Sequence, residues 1–278
     1  MAGAIIRRAI PASAESLPVI GLGTWQTFDV GGDVAARMSL KQVLHEFAAH
    51  GGSVIDSSPM YGSSETVLGD LMTELKLRSK LFIATKVWIT GREAGVRQME
   101  ESFRRLRSQG VDLMQVHNLV DWQTQLATLR QWKEQGRIRY IGITHYTAGA
   151  YDDLARVLAS ADLDFVQLNY SLAEREAERR LLPLAADRRT AVLVNRPFAA
   201  GDLFNRVRGK SLPAWAKEIG CATWAQFFLK FIISHPAVTC VLPATSKAAH
   251  LVDNMHAGAE PLPDTSVRER MLKYLLEL

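Results

Sequence analysis

Eight short apolar runs, separated by segments of helix length, are the feature of this sequence that most constrains its fold. Most of the runs are continuously apolar rather than alternating, which is typical of parallel strands covered on both faces. Their starts are mostly about 25 to 35 residues apart, the length of one strand–helix–strand unit. The predicted strands are Leu17–Gly23, Gly52–Asp56, Leu81–Lys86, Asp112–His117, Arg139–Thr144, Asp164–Asn169, Ala191–Asn195 and Val238–Ala244.

This alternation predicts an α/β fold, a (β/α)8 TIM barrel that forms a single domain over residues 1–278. An open doubly wound sheet is the alternative, because it produces the same alternation of strands and helices. Basic helical turns followed by Gly110 and Gly136 predict the ends of two helices. The long interval between the strands at Ala191 and Val238 predicts a loop and more than one helix.

Composition excludes several classes of function. The net charge is +4 and both signs are mixed along the chain, so we expect no nucleic-acid partner. The two cysteines form no CxxC pair and the seven histidines show no ligand spacing, so we expect neither a disulfide scaffold nor a metal. No apolar run approaches the roughly 20 residues of a membrane span. The N-terminus has no apolar signal-peptide core, so a cytoplasmic location is the default, although a chain whose export signal had been removed would look the same.

Ionisable side chains stand where three consecutive predicted strands end. Asp56 ends the second strand, Lys86 the third and His117 the fourth, and Tyr61 lies on the loop that follows Asp56. One polar residue at a strand end is ordinary, because strands must exit into water. In a barrel, however, the carboxyl ends of all the strands meet at one rim, so we expect these four side chains to lie together.

The four residue types suit proton transfer to an oxygen that gains negative charge. A phenol has a pKa of about 10, and we expect the Lys86 ammonium to lower the pKa of Tyr61. Asp56 would balance the charge of Lys86, and His117 would add a hydrogen bond to the same oxygen. Such a group is what carbonyl reduction requires at the oxygen atom.

Seven segments in order resemble the signature segments of the aldo-keto reductases: "VIGLGTW", "VIDSSPMYGSSE", "LFIATKVW", "VDLMQVHN", "EQGRIRYIGITHY", "DFVQLNYS" and "VLPATSKAAHLVDN". The resemblance implies a (β/α)8 barrel that reduces aldehydes and ketones with NADPH, with NADH as a possible substitute. It maps the catalytic tetrad onto Asp56, Tyr61, Lys86 and His117. It also implies a monomer without metal, whose partner is a small-molecule carbonyl substrate.

The resemblance further implies an extended cofactor across the barrel mouth. At the nicotinamide end the corresponding residues are Thr24, Trp25, Asp56, Thr144, His145 and Gln167. The loop that wraps the pyrophosphate corresponds to Asn195, Arg196, Pro197, Phe198, Gly201 and Leu203. The adenosine-phosphate segment corresponds to Pro243, Ala244, Thr245, Ser246, Lys247, His250, Asp253 and Asn254.

Three residues depart from the family pattern. Asn195 replaces the aromatic side chain that usually stacks on the nicotinamide, with Phe198 as a possible substitute nearby. His145 replaces an asparagine that holds the carboxamide, and His250 replaces a common arginine. Neutral histidine binds phosphate less well than arginine, so His250 weakens the expectation of NADPH, although Lys247 offers a charge.

Aromatic residues that follow the first, third and fourth strands are candidates for the substrate pocket. Trp25, Phe28 and Trp88 would form an apolar wall beside His117, and Trp122 is a fainter candidate. Loop packing is the alternative explanation of these residues. Two other functions stay open: a module that senses or binds a nicotinamide cofactor, and a dehydrogenase that oxidises sugars or other alcohols.

Overall fold

Eight parallel strands form the centre of the protein in the computed structural model, which describes residues 4–278. The first three residues belong to the N-terminal segment on which we based the absence of an export signal, and they lie outside the described residues. The strands of the central sheet are β3 (Leu22–Gly23), β4 (Val54–Asp56), β5 (Phe82–Val87), β6 (Val111–His117), β7 (Ile138–His145), β8 (Phe165–Asn169), β9 (Ala191–Asn195) and β10 (Cys240–Val241). A separate antiparallel hairpin consists of β1 (Arg7–Ala9) and β2 (Ser16–Pro18).

The sheet closes on itself. Each strand from β3 to β10 pairs with the next one along the chain, and all these pairs are parallel. Parallel bridges from Ile20 to Val241 and from Gly23 to Ala244 then join the first strand to the last. The TIM barrel prediction is confirmed, and the alternative of an open doubly wound sheet is wrong.

The first predicted strand divides into two parts. Leu17 lies in β2 and pairs with Arg8 of the hairpin, and only Leu22–Gly23 belongs to the barrel. Leu17 and Ile10 are buried with side chains of the barrel interior, such as Val54. The hairpin therefore covers one end of the barrel. The run from Leu17 to Gly23 is continuously apolar because its hairpin part and its barrel part are both buried.

Helices surround the barrel and bury their apolar faces against it. They are α1 (Val34–Ala49), α2 (Ser64–Glu74), α3 (Arg92–Arg105), α4 (Trp122–Glu134), α5 (Tyr151–Ser160), α6 (Leu181–Asp187), α7 (Asp202–Arg206), α8 (Trp224–Ile233), α9 (Ala248–His256) and α10 (Thr265–Leu276). As predicted, the long interval before β10 contains more than one helix, α7 and α8. No helix within the described residues is long and apolar enough to cross a bilayer.

The two glycines predicted to end helices have different roles. Gly136 follows α4 with a φ of +71°, a conformation that glycine adopts without strain. After α3 it is Arg107, not Gly110, that adopts a positive φ. A Cβ atom on Gly110 would lie 2.4 Å from the carbonyl oxygen of Arg137, so this glycine allows two backbone segments to approach each other. The prediction that Gly110 ends α3 is wrong.

Candidate active site

A buried ion pair between Lys86 and Asp56 lies at the carboxyl ends of β4 and β5. Lys86 is 1% exposed, and its Nζ atom donates to Asp56 Oδ2 at 2.7 Å and to the carbonyl oxygen of Ser57 at 2.7 Å. Burial lowers the pKa of Lys86, but Asp56 and Tyr61 outweigh that effect and raise the pKa above its usual value. Lys86 is therefore a cation, and a buried cation needs a partner of this kind.

Tyr61 lies beside this pair, on the loop between β4 and α2. The Lys86 Nζ atom is 5.1 Å from the centroid of the Tyr61 ring. Burial raises the pKa of the Tyr61 phenol, Lys86 lowers it and Asp56 raises it, with a net pKa above the usual 10. Lys86 lowers the pKa of Tyr61 as expected, but burial has the larger effect, so the phenol is less acidic than a free tyrosine. The phenol consequently keeps its proton at neutral pH.

His117, the last residue of β6, approaches the same phenol. Its ring centroid is 6.2 Å from that of Tyr61, with the two rings nearly perpendicular. Burial, the charge of Lys86 and the neighbouring His145 lower the pKa of His117 to about 3, so the imidazole is neutral. The Ser58 hydroxyl lies 3.3 Å from His117 Nδ1 and accepts a hydrogen bond from the Met60 backbone N–H. When Ser58 donates to Nδ1, the imidazole proton lies on Nε2.

The structure brings together the four residues predicted from the strand ends: Asp56, Tyr61, Lys86 and His117. They form a protonated phenol next to a fixed ammonium and a neutral imidazole. This group can donate a proton and a hydrogen bond to one oxygen atom while the ammonium stabilises the resulting phenolate.

Supporting residues that we did not identify from the sequence surround the group. Gln115 Nε2 donates to Asp56 Oδ1 at 3.3 Å, and Ser57 and Ser58 contact Lys86 and His117. A usable signal existed for Gln115, because it is a polar residue two positions before His117 in an apolar strand. Residues two apart in a strand face the same side, so Gln115 faces the same side as His117.

Glu65 is a second buried carboxyl group that the sequence did not reveal. It is 0% exposed in the first turn of α2, and accepts hydrogen bonds from Thr85 at 2.6 Å and Ser102 at 3.1 Å. Arg105 lies 3.8 Å away, and burial raises the pKa of Glu65. Because Thr85 precedes Lys86 in β5, Glu65 connects α2 and α3 to the strand that carries Lys86.

Unsatisfied polar atoms at the ends of β8 and β9 fit a polar ligand. Thr144 donates to Gln167 Oε1 at 3.0 Å, which leaves the buried Gln167 Nε2 without a partner among residues 4–278. Asn195 Oδ1 and Arg196 Nε are also buried and have no partner within the described chain. Buried polar groups normally have partners, so these atoms are suited to a carboxamide or similar group. His145 lies beside them and stacks on Tyr146 with ring centroids 5.9 Å apart.

The loop after β9 places its predicted cofactor residues in different environments. Leu203 is fully buried and Pro197 is buried, whereas Gly201 is partly exposed. Phe198 packs on Phe204 with ring centroids 4.8 Å apart. Phe198 is therefore already in contact with another ring near the position where we expected a substitute for nicotinamide stacking.

The segment after β10 presents a row of polar residues at the rim. Lys247 and His250 are exposed, as are Ala244 and Ser246, while Pro243 and Thr245 are buried. Asp253 accepts hydrogen bonds from Thr223 at 2.8 Å and from Gln226 at 2.6 Å, so both of its oxygens bind the start of α8. Asn254 is only 4% exposed. The predicted adenine contacts of Asp253 and Asn254 gain no support from this geometry.

The aromatic candidates for the substrate pocket separate into exposed and buried residues. Trp25 is 52% exposed, and Trp88 lies near His117 with ring centroids 6.3 Å apart. Phe28 is 0% exposed and belongs to the hydrophobic core, so it does not face open space. Trp122 lines a cleft beside the barrel mouth. In the described part of the chain, no group of three or more potential metal ligands converges.

The chain is similar to known proteins over most of its length. Residues 19–270 match the model of the Aldo/keto reductase family. The chain is 30% identical to methylglyoxal reductase YeaE of Escherichia coli over 86% of this chain and 84% of that protein. It is 27% identical to an NADH-specific methylglyoxal reductase of the same organism, over 73% of this chain and 70% of that one. An aldo-keto reductase from Klebsiella pneumoniae, solved in complex with NADPH, superposes with a TM-score of 0.83 at 26% identity and covers 98% of this chain and 96% of its own.

Proposed function

The chain belongs to the aldo/keto reductase family, and from that premise we propose that it is a carbonyl reductase in which Tyr61 is the general acid. The observation that carries this proposal is the buried Lys86–Asp56 pair beside a protonated Tyr61 and a neutral His117. These groups supply what the oxygen of a carbonyl group needs when its carbon is reduced.

Each side chain has a separate role in the proposed mechanism. When bound, a nicotinamide cofactor supplies the hydride. His117, neutral with its proton on Nε2, donates a hydrogen bond that positions the carbonyl oxygen. Tyr61 transfers its phenolic proton to that oxygen, and the Lys86 ammonium stabilises the phenolate that remains. Asp56 keeps Lys86 charged and in place.

NADPH is the proposed cofactor, with NADH as a second possibility. Gln167 and Asn195 would hold the carboxamide, because Gln167 Nε2 and Asn195 Oδ1 are buried and have no partner in the described chain. Thr144 would join them, because it donates to Gln167. The exposed Lys247 would bind the 2′-phosphate that distinguishes NADPH from NADH. The relatives support both cofactors, since one is bound to NADPH and another is NADH-specific.

Small aldehydes and ketones are the proposed substrates, as two relatives are methylglyoxal reductases. Trp25 and Trp88 would provide an apolar wall that excludes water from the reacting carbonyl. Reduction is the proposed direction, because a Tyr61 that keeps its proton is the acid that a carbonyl oxygen needs.

The test is an NADPH oxidation assay on methylglyoxal and other aldehydes with the parent protein and Tyr61→Phe. We expect turnover to fall by a factor of at least about 100 in Tyr61→Phe, while NADPH affinity measured by fluorescence stays near that of the parent. Tyr274→Phe makes the same change on α10 and should retain full turnover.

Turnover of Tyr61→Phe within about tenfold of the parent would contradict the acid role of Tyr61. Tight NADPH binding by the parent without turnover of any carbonyl would instead favour a module that senses the cofactor.

A further inference from the structure

The loop that carries Tyr61, residues 57–63, belongs to no helix or strand and is attached to its surroundings at both ends. Its start is bound by the lysine and the histidine of the candidate catalytic group. At its end, the Ser63 N–H and the Ser63 hydroxyl both donate to Asp29 Oδ1, each at 2.8 Å. Tyr61 lies between these two attachments, and the proposed mechanism assigns no role to the second one.

Asp29 itself lies on a loop that the core holds in place. This loop, residues 24–33, follows β3, and the residue before Asp29 is Phe28, which is 0% exposed and belongs to the hydrophobic core. At the start of the loop, the Thr24 N–H donates to the carbonyl oxygen of Asp56 at 3.1 Å. Asp29 therefore connects the Tyr61 loop to a segment whose own position is fixed.

A third hydrogen bond completes the connection between the two loops. Ser63 Oγ accepts from the Gly31 N–H at 2.9 Å, so one serine binds two residues of the neighbouring loop. The hydrogen bonds that Ser63 donates lower the pKa of Asp29, which is therefore a carboxylate at neutral pH. Hydrogen bonds to a carboxylate are stronger than those between neutral groups. We call Asp29, Gly31 and Ser63 the Asp29 clamp.

The residue between Tyr61 and the clamp is a glycine, and the clamp requires it. Gly62 has a φ of +57°, a conformation that glycine adopts without strain. A Cβ atom at this position would overlap the carboxylate of Asp29. The residue next to the candidate general acid is therefore in direct contact with Asp29, so a movement of this carboxylate is transmitted to Tyr61 across a single residue.

The position of Tyr61 matters because proton transfer depends on geometry. Its phenol must reach the carbonyl oxygen while its ring stays near Lys86, whose Nζ atom is 5.1 Å from the ring centroid. Lys86 is fixed by the strand β5 and by its buried ion pair, whereas Tyr61 lies on an irregular loop. Displacements of about 1 Å can reduce the rate of a chemical step strongly, so the attachments of this loop bear on catalysis.

We propose that Asp29 is a positioning residue for the general acid: by binding Ser63, it holds the Tyr61 loop against the loop after β3 and keeps the phenol in place for proton transfer. Asp29 touches neither the substrate nor the cofactor in this role. The inference rests on the proposed reductase function, because it concerns the acid of the same reaction.

The test measures the rate of NADPH oxidation in a single turnover with saturating methylglyoxal, which isolates the chemical step from product release. Asp29→Ala should lower this rate and kcat by about tenfold, because Tyr61 loses its second attachment. The KM for methylglyoxal and the affinity for NADPH should stay within about twofold of the parent, because Thr24 and Phe28 still hold the other loop.

Two further variants separate positioning from stability. Asp29→Asn keeps an oxygen that can accept from Ser63, so it should restore most of the rate lost in Asp29→Ala. Asp264→Ala is the matched control, because Asp264 also accepts from a backbone N–H and a serine hydroxyl, those of Val267 and Ser266, each at 2.8 Å. It precedes α10, so Asp264→Ala should lower the melting temperature about as much as Asp29→Ala and leave the single-turnover rate unchanged.

The outcomes separate the role of Asp29 from the underlying function. An unchanged rate in Asp29→Ala, an equal loss of rate in Asp264→Ala, or no recovery in Asp29→Asn would overturn the positioning role, while turnover by the parent leaves the reductase intact. A parent that turns over neither methylglyoxal nor any other carbonyl compound would overturn the proposed function itself.

Discussion

Lys86 Nζ lies 2.7 Å from Asp56 Oδ2, and the two side chains are only 1% and 8% exposed. This pair differs from the surface pairs of the same protein, such as Lys41 with Glu74, in which both side chains contact solvent. A buried charge that loses its partner is far less stable than a charge that water can solvate. Asp56 is therefore expected to matter for the stability of the barrel mouth as well as for the proposed catalysis.

Asp56→Asn should destabilise the protein by about 3 to 5 kcal/mol, because Lys86 would remain buried without a countercharge. Urea unfolding measures the change in the free energy of unfolding. Glu74→Gln removes the carboxylate of an exposed pair and should change that free energy by less than about 1 kcal/mol. Equal losses in the two variants would show that Lys86 does not need its partner.

Stability should fall as the pH is lowered below neutrality, in part because of His117. Its pKa is about 3 in the folded protein and about 6.5 in an unfolded chain. Between these values the unfolded state binds more protons, so the free energy of unfolding decreases as pH falls from 6.5 towards 3. Burial also lowers the pKa of His145 and His235, which adds to the decrease.

The contribution of His117 can be isolated with His117→Gln. Urea unfolding at pH 7 and pH 5 should show a smaller loss of stability in this variant than in the parent. One fully depressed histidine accounts for up to about 1.4 kcal/mol per pH unit. Parallel losses in the two proteins would mean that His117 is protonated as readily in the folded state as in the unfolded state.

Glu65→Gln should lower turnover more than its effect on stability explains. Glu65 lies in α2, the helix that follows Tyr61, and it accepts a hydrogen bond from Thr85, the residue before Lys86. A change at this carboxyl group should shift Lys86 relative to Tyr61. Small displacements of reacting groups reduce the rate of the chemical step, and we expect kcat to fall by about tenfold.

Asp112→Asn is the matched control for Glu65. Asp112 is also a buried carboxyl group that binds β5, because it accepts from the Ile83 N–H at 2.8 Å. Ile83 lies three residues before Lys86, whereas the partner of Glu65 is directly adjacent to it. Both variants should lower the melting temperature, while only Glu65→Gln should lower kcat. If kcat falls equally in both, Glu65 contributes to general stability and does not position Lys86.

Lys247→Met should weaken the binding of NADPH by about tenfold and leave that of NADH unchanged, because only NADPH carries the 2′-phosphate. Fluorescence titration of both cofactors measures the two dissociation constants. His250→Arg should strengthen NADPH binding, since a guanidinium is a better phosphate partner than a neutral imidazole. If Lys247→Met weakens the binding of NADPH and NADH equally, Lys247 contacts a part of the cofactor other than the 2′-phosphate.

Several features of the fold and the candidate site were predictable from the sequence because they depend on local patterns. Continuous apolar runs at the spacing of strand–helix units are a consequence of burial on both faces, and they indicated the barrel. Asp56, Lys86 and His117 were identified because each ends such a run, and parallel strands bring their carboxyl ends to one rim. Their roles in catalysis remain predictions.

Other features depended on contacts between distant residues. Leu17 looks like part of a barrel strand, yet it pairs with Arg8 in a hairpin. Phe28 and Trp25 are both aromatic residues just after β3, yet one is fully buried and the other half exposed. Asp253 resembles a cofactor residue by position, but α8 already binds both of its oxygens. The local sequence around a residue does not reveal which distant element covers its side chain.

The sequence by itself determined the order of strands and helices and the set of ionisable residues at the strand ends, because both follow from hydrophobic periodicity and chain direction. Only the tertiary structure decided the direction in which the pKa of Tyr61 is shifted and the neutrality of His117. Those properties depend on how completely neighbouring elements exclude water, and burial proved stronger than the charge of Lys86 in setting the acidity of the phenol.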